Sequence, residues 1–173
     1  FLCSPNNPTG NELDDLEFFI DNFSGIVVLD EAYIEFSSRK SAISWLEKYP
    51  NLIVLQTLSK AYGMAGLRIG IGAASTEVAT LMNTIKGPYN VNSLSQKIAL
   101  EQLSDEKVFK ENLEQILAER EFLKVQLNEL DFVKKIYPTE ANFFLIKVEN
   151  PIEIYEFLLA QNILTSLRHP QIE

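Results

Sequence analysis

The sequence predicts an α/β fold built on a mainly parallel sheet. Three observations carry that expectation. Ile26-Val27-Val28-Leu29 and Leu52-Ile53-Val54-Leu55 are apolar runs without alternation, the pattern of strands covered on both faces. The stretches around them repeat apolar residues at helical spacing. The resulting order, strand–helix–strand–helix, belongs to sheets whose parallel strands are joined by crossovers.

Phe1 to Cys3 is short and apolar, and Ser4-Pro5-Asn6-Asn7-Pro8-Thr9-Gly10 is dense in turn formers. Leu13, Leu16, Phe19, Ile20 and Phe23 recur at helical spacing, and Asn11 is the expected cap. After the first buried run comes a helix over Trp45–Tyr49, stopped by Pro50. The second buried run leads into Gln56-Thr57-Leu58-Ser59-Lys60. Ile69-Gly70-Ile71-Gly72-Ala73 is a third, glycine-thinned strand. Helices are expected over Thr76–Lys86 and Ser93–Leu103, separated by the Gly87-Pro88 break. Asp105 to Leu130 reads as one long amphipathic helix with a solvated charged face. Beyond Pro138, Phe143–Ile146 is expected as a strand, Ile152–Gln161 as a helix opened by Pro151, and Ile163-Leu164 as a short strand.

Composition removes several function classes. Of 173 residues, 46% are hydrophobic and 23% charged, ordinary values for a globular chain. The net charge of −9 opposes binding to nucleic acid or to an anionic membrane surface, both of which reward basic patches. No apolar run approaches the roughly 18 residues of a membrane span. A single cysteine, Cys3, makes no internal disulfide and suits a reducing, cytoplasmic setting. One histidine and one cysteine exclude a Cys/His zinc site, so no metal is expected. Gly70 and Gly72 lack the third glycine of a dinucleotide fingerprint. A Ser–His–Asp hydrolase would have to use His169, which reads as a loop residue, and no Gly-x-Ser-x-Gly elbow is present.

In open parallel sheets, ligands bind beyond the carboxyl ends of the strands. Asn7, then Asp30 and Tyr33, then Thr57, Ser59 and Lys60 follow three such ends. Taken alone, Asp30 reads as a solvated strand end or a helix cap, and Lys60 as a surface lysine. A partly desolvated lysine would instead be a usable amine nucleophile. Two hydroxyls with Arg68 would make a phosphate cradle.

Four motifs stand in order: Ser4-Pro5-Asn6-Asn7-Pro8-Thr9-Gly10, Asp30-Glu31-Ala32-Tyr33, Thr57-Leu58-Ser59-Lys60-Ala61-Tyr62-Gly63 and Gly66-Leu67-Arg68-Ile69-Gly70. Together they resemble the aspartate-aminotransferase-like (fold type I) enzymes that use pyridoxal 5'-phosphate. The loop Gly87-Pro88-Tyr89-Asn90-Val91-Asn92 and the segment Glu140-Ala141-Asn142-Phe143 are most similar to the histidinol-phosphate aminotransferase branch. The resemblance implies a cofactor-binding portion of the large, three-layer, mainly parallel domain over residues 1–104. It further implies a long connecting helix over 105–131 and an incomplete small α+β C-terminal domain over 132–173. It covers only the middle and later part of a longer family member, so Phe1 and Glu173 are expected to be cut points.

The same resemblance implies site roles. Lys60 would hold the cofactor as an internal aldimine and carry the 1,3-proton shift. Asp30 would pair with the pyridine nitrogen, and Tyr33 and Asn7 would hydrogen-bond the ring's phenolic oxygen. Thr57, Ser59 and Arg68 would bind the cofactor phosphate. Tyr89, Asn90 and Asn142 would belong to a substrate or dimer-shared site. The implied enzyme is a cytoplasmic homodimeric aminotransferase of histidine biosynthesis. It would move an amino group between a small-molecule amino donor, histidinol phosphate, and a 2-oxo acid, 2-oxoglutarate. The alternatives are another fold type I enzyme (a different amino-acid aminotransferase, a threonine-phosphate-type decarboxylase or a β-lyase) and a folded but inactive fragment.

Overall fold

The computed structural model describes residues 1–168; His169 and Pro170, expected in a loop, lie outside them. Four strands form the main sheet in the order β1 (Leu2–Cys3), β2 (Val27–Asp30), β3 (Leu52–Thr57) and β4 (Gly70–Ala74). β1, β2 and β3 run parallel, as their long intervening connections allow. Val27, Leu29, Leu52 and Val54 share one face and are at most 5% exposed. They pack on Leu16 and Ile20 of helix α1 (Leu16–Asn22), with Ala42 and Tyr49. Each such side chain contributes about 1.5–3 kcal/mol of hydrophobic stabilisation. The opposite face is less covered, with Val28 and Leu55 only half-buried, so the strands are sealed more completely on one side than their unbroken apolar runs predict.

β4 is antiparallel to β3, pairing Thr57 with Gly70 and Leu55 with Gly72. The intervening residues 58–69 fold into turns and a single 3-10 turn at Ala65–Leu67 rather than a crossover helix. This reversal has a functional consequence. Arg68 lies two residues before β4, and in a parallel strand it would sit at the far edge of the sheet. The antiparallel return brings it to the edge where β3 ends.

The next three helices begin at side-chain caps. Ser75 Oγ accepts from the Val78 amide at the start of α2 (Thr76–Ile85), at 3.4 Å. Asn92 Oδ1 accepts from the Ser95 amide (2.8 Å) at α3 (Ser93–Leu103), and Asp105 Oδ1 from the Val108 amide (3.1 Å) at α4 (Glu106–Asn128). Phe109, Leu113, Ile116 and Leu117 of α4 pack on Tyr33, Phe36 and Ala61, so the long helix lies against the loops that follow β2 and β3. β5 (Val133–Ile136) and β6 (Ile146–Val148) pair antiparallel, and α5 (Pro151–Ala160) follows with proline in its first turn.

Several expected elements differ. Asn11 does not cap α1; its Oδ1 accepts from the Thr9 hydroxyl at 2.5 Å, and Asp15 stands at the helix start. The helix expected over Trp45–Tyr49 is a 3-10 turn, Ala42–Trp45, followed by further turns. The strand expected over 143–146 starts only at Ile146, because the Phe143 ring packs edge-on against Tyr33 (5.3 Å between centroids) instead of joining the ladder. Ile163-Leu164 forms no strand. β5 is not expected from the sequence; Val133 and Ile136 are half-buried but the two exposed lysines between them, with a register shift at that point, break the alternation that marks a strand.

Gly10 fixes where the chain's later part meets its beginning. The Glu140 amide donates to Gly10 O at 2.8 Å. Gly10 has φ +78°, and a Cβ there would lie 2.4 Å from Thr139 Oγ1. No other residue type fits that crossing.

Candidate active site

The parallel order of β1, β2 and β3 places their carboxyl ends at one edge. Cys3 pairs in register with Asp30, and Asp30 with Leu55. The Ser4 amide donates to Asp30 O at 3.0 Å, which ties the loop after β1 to the end of β2. That loop then presents Asn7. Asn7 Nδ2 donates to Tyr33 Oη at 2.9 Å, across 26 residues of sequence. The Cys3 thiol reports the same convergence: burial pushes it up, the Asn7 amide opposes that, and the Asp30 charge pushes it up further.

Tyr33 is buried and stands at the start of a 3-10 turn, Ile34–Phe36. Its ring is the floor of the group, and Lys60 Nζ lies 5.1 Å from the ring centroid, within cation–π range. Lys60 occupies the tip of a turn closed by the Gly63 amide donating to Lys60 O (3.0 Å), where Gly63 takes φ +67°. The buried neighbours Leu58, Ala61 and Met64 hold that turn down. Lys60 itself is exposed, not desolvated as a nucleophile argument from sequence expects; its setting is the face of Tyr33.

Asp30 Oδ1 accepts from the Ala32 amide at 3.0 Å, and no other side-chain hydrogen bond to Asp30 occurs among the described residues. Thr57 Oγ1 accepts from the Ser59 amide (3.1 Å) and donates to Ile69 O (3.3 Å), so it staples the two arms of the 57–69 loop. Arg68 is exposed, in left-handed backbone geometry (φ +56°), with Nη1 donating to Ala65 O at 3.2 Å. Asp30, Lys60 and Arg68 form no ion pair among the described residues. Chemically, the edge offers a carboxylate and an amine that form no ion pair among the described residues, the amine on an aromatic face, a positioned phenol and amide, and, on the loop that returns to β4, a hydroxyl and an exposed guanidinium.

The remaining candidates stand apart. Tyr89 is 96% exposed with φ +56°, and Asn90 is exposed beside it, between α2 and α3. Asn142 is exposed in the segment after Glu140. No hydrogen bond joins any of the three to the Lys60 group among the described residues.

Three side chains near the site escaped sequence reasoning. Glu31, next to Asp30, is 2% exposed with its carboxylate fully engaged by hydrogen bonds. Its one sequence signal is a second acidic residue directly after a buried strand. Arg120 of α4 donates from Nη1 to Phe36 O (3.2 Å) and Ala141 O (3.1 Å), and nothing in the helical pattern distinguishes it from neighbouring charges. Glu35 is half-buried, and its Oε2 has no hydrogen-bond partner.

Burial, aided by the nearby Glu31 charge, pushes the Glu35 carboxyl above the usual carboxylate range, while its own backbone amide opposes this. A carboxyl raised on folding contributes stability below its unfolded pKa and loses it as pH rises through the folded value. Glu35→Gln is therefore expected to melt higher than the unsubstituted protein at pH 8, with the gap closing toward pH 4. Thermal melts across that range check this; a constant gap would contradict it.

The sequence profile described as Aminotransferase class I and II matches residues 1–170. The chain is 49% identical over 173 residues to a histidinol-phosphate aminotransferase from Flavobacterium johnsoniae, covering 99% of this chain and 50% of that protein. The crystal structure of the histidinol-phosphate aminotransferase from Clostridium acetobutylicum superposes with a TM-score of 0.85 at 28% identity, over 94% of this chain and 52% of that one. The enzyme of the same name from Sinorhizobium meliloti, in complex with pyridoxal-5'-phosphate, gives 0.81 at 25%, over 94% and 47%. The chain spans about half the length of the curated relatives it matches. It belongs to the aminotransferase class I and II family.

Proposed function

We propose that the protein carrying this chain is a pyridoxal 5'-phosphate-dependent aminotransferase that acts on histidinol phosphate with 2-oxoglutarate as amino acceptor. The observation that carries the reading is the meeting of Asn7, Tyr33 and Lys60 beside Asp30 at one sheet edge. The donor set fits the cofactor. Asp30 has an uncommitted carboxylate oxygen to keep a ring nitrogen protonated. Lys60 supplies the amine that binds the cofactor and moves a proton at the substrate's α-carbon. Asn7 and Tyr33 orient it through the cofactor's phenolic oxygen. Ser59, Arg68 and a turned Thr57 hydroxyl bind its phosphate. When bound, the cofactor acts as an electron sink for the charge that develops at that carbon.

The same proposal divides the chain into the cofactor-binding portion 1–104, the connecting helix 105–131 and the small-domain portion 132–173. It also makes the protein a homodimer, with the projecting Tyr89–Asn90 loop reaching the partner and Asn142 facing substrate. The single cysteine suits the cytoplasm. Names of the relatives support the substrate choice. The test is glutamate formation by the full-length protein given histidinol phosphate and 2-oxoglutarate. Release of carbon dioxide without glutamate would overturn the reading.

A further inference from the structure

We propose that Glu31 is a positioning residue that sets the spacing between Asp30 and Thr57. This rests on the cofactor reading above. Glu31 is 2% exposed and forms no ion pair among the described residues. A buried carboxylate without a counter-charge is costly unless hydrogen bonds replace its water. Here three donors do so. Oε1 accepts from the Ala42 amide at 2.7 Å; Oε2 accepts from Ser41 Oγ at 2.5 Å and Gln56 Nε2 at 3.0 Å. Gln56 Nε2 also lies 3.0 Å from Ser41 Oγ, closing a triangle.

The strand alternation gives this triangle its meaning. Asp30 pairs in register with Leu55, so the two share a face. Gln56 and Glu31, each one residue on, point to the other face, and Thr57 returns to the face of Asp30. The back-side bond between Glu31 and Gln56 therefore fixes the relative position of Asp30 and Thr57 on the front. The Glu31 amide, donating to Leu55 O at 2.8 Å, holds the same two strand ends through the backbone. Asp30 is the group proposed to meet the cofactor ring, and Thr57 belongs to the group proposed to meet its phosphate. Loss of the back-side link lets those two ends of the cofactor cradle drift.

The test uses the full-length protein with pyridoxal 5'-phosphate added, well below its unfolding temperature. It reads the cofactor dissociation constant and the pH midpoint of the bound cofactor's visible band. Glu31→Ala and Gln56→Ala are expected to weaken binding about tenfold, the scale of one hydrogen bond to a charged group, and to move the midpoint. Glu31→Gln is expected to stay within about twofold. Its amide can accept from Ala42 and donate to Ser41 Oγ and to a turned Gln56 amide. Should Glu31→Ala fail to fold, Gln56→Ala carries the test, because Gln56 is only half-buried. Native affinity and midpoint in the folded variants would overturn the assignment while leaving the cofactor reading intact. No visible band in the unsubstituted protein would overturn the reading and the assignment together.

Discussion

Lys60→Ala is expected to remove the visible band of the lysine-attached cofactor, leaving only that of the unattached aldehyde, and to lower turnover on the order of 10⁴-fold, the upper scale for losing a positioned proton-transfer group. Stability should hold. Lys60 is exposed and makes no ion pair among the described residues, and such surface changes stay within about 0.5 kcal/mol. The turn that carries it is fixed by Leu58, Ala61, Met64 and the Gly63–Lys60 hydrogen bond, none of which needs the ammonium. Spectra and melting curves of the two proteins check both halves of the expectation. An unchanged visible band would remove Lys60 from the chemistry.

Arg120→Met is expected to have the opposite profile: a large loss of stability, with site effects that follow from it. The Arg120 side chain is only 14% exposed. Its Nη1 reaches Phe36 O and Ala141 O, which lie 84 and 21 residues away. It thus joins α4 to the loop after Tyr33 and to the segment that carries Phe143. Methionine keeps much of the apolar stem but strands two carbonyls. Each lost bond from a charged donor costs about 1.5–3 kcal/mol. Relief of the buried Nε, which has no hydrogen-bond partner and only a 3.7 Å ion pair with the exposed Glu121, offsets part of that, leaving a net loss of about 2–3 kcal/mol. Arg120→Lys, which keeps one charged donor, should lose less. Denaturant unfolding measures both, and a Met variant as stable as the parent would show that the bridge contributes nothing.

The parts of the fold that are legible in the sequence are those where burial dominates. β2 and β3 stand out because Val27, Leu29, Leu52 and Val54 are sealed against α1 while Ile53 is buried on the opposite face. α3 begins where expected because Asn92 supplies a cap after a Gly-Pro break. The orientation of β4 was not legible: glycines at 70 and 72 carry no directional pattern, and only the absence of a helical stretch in residues 58–69 hints at a return. Phe143 was misplaced because its hydrophobicity fits a strand and a buttress equally well; the choice is made by Tyr33, more than 100 residues earlier. The site divides in the same way. Order along the chain, through its resemblance to the family, names Asn7, Asp30, Tyr33 and Lys60. Asn7 and Lys60 meet at Tyr33, the parallel strand ends put Asp30 at the same edge, and antiparallel β4 returns Arg68 toward it. Glu31 stays hidden because its value lies in what it links, not in its type.

This sheet edge is proposed to hold pyridoxal 5'-phosphate through Lys60. This is tested most directly by loading the full-length protein with the cofactor, reducing it with borohydride to make the attachment permanent, and mapping the modified peptide by mass spectrometry. The cofactor is expected on the peptide that contains Lys60, and that modification is expected to be lost in Lys60→Ala. Attachment to another lysine, or none at all, would contradict it.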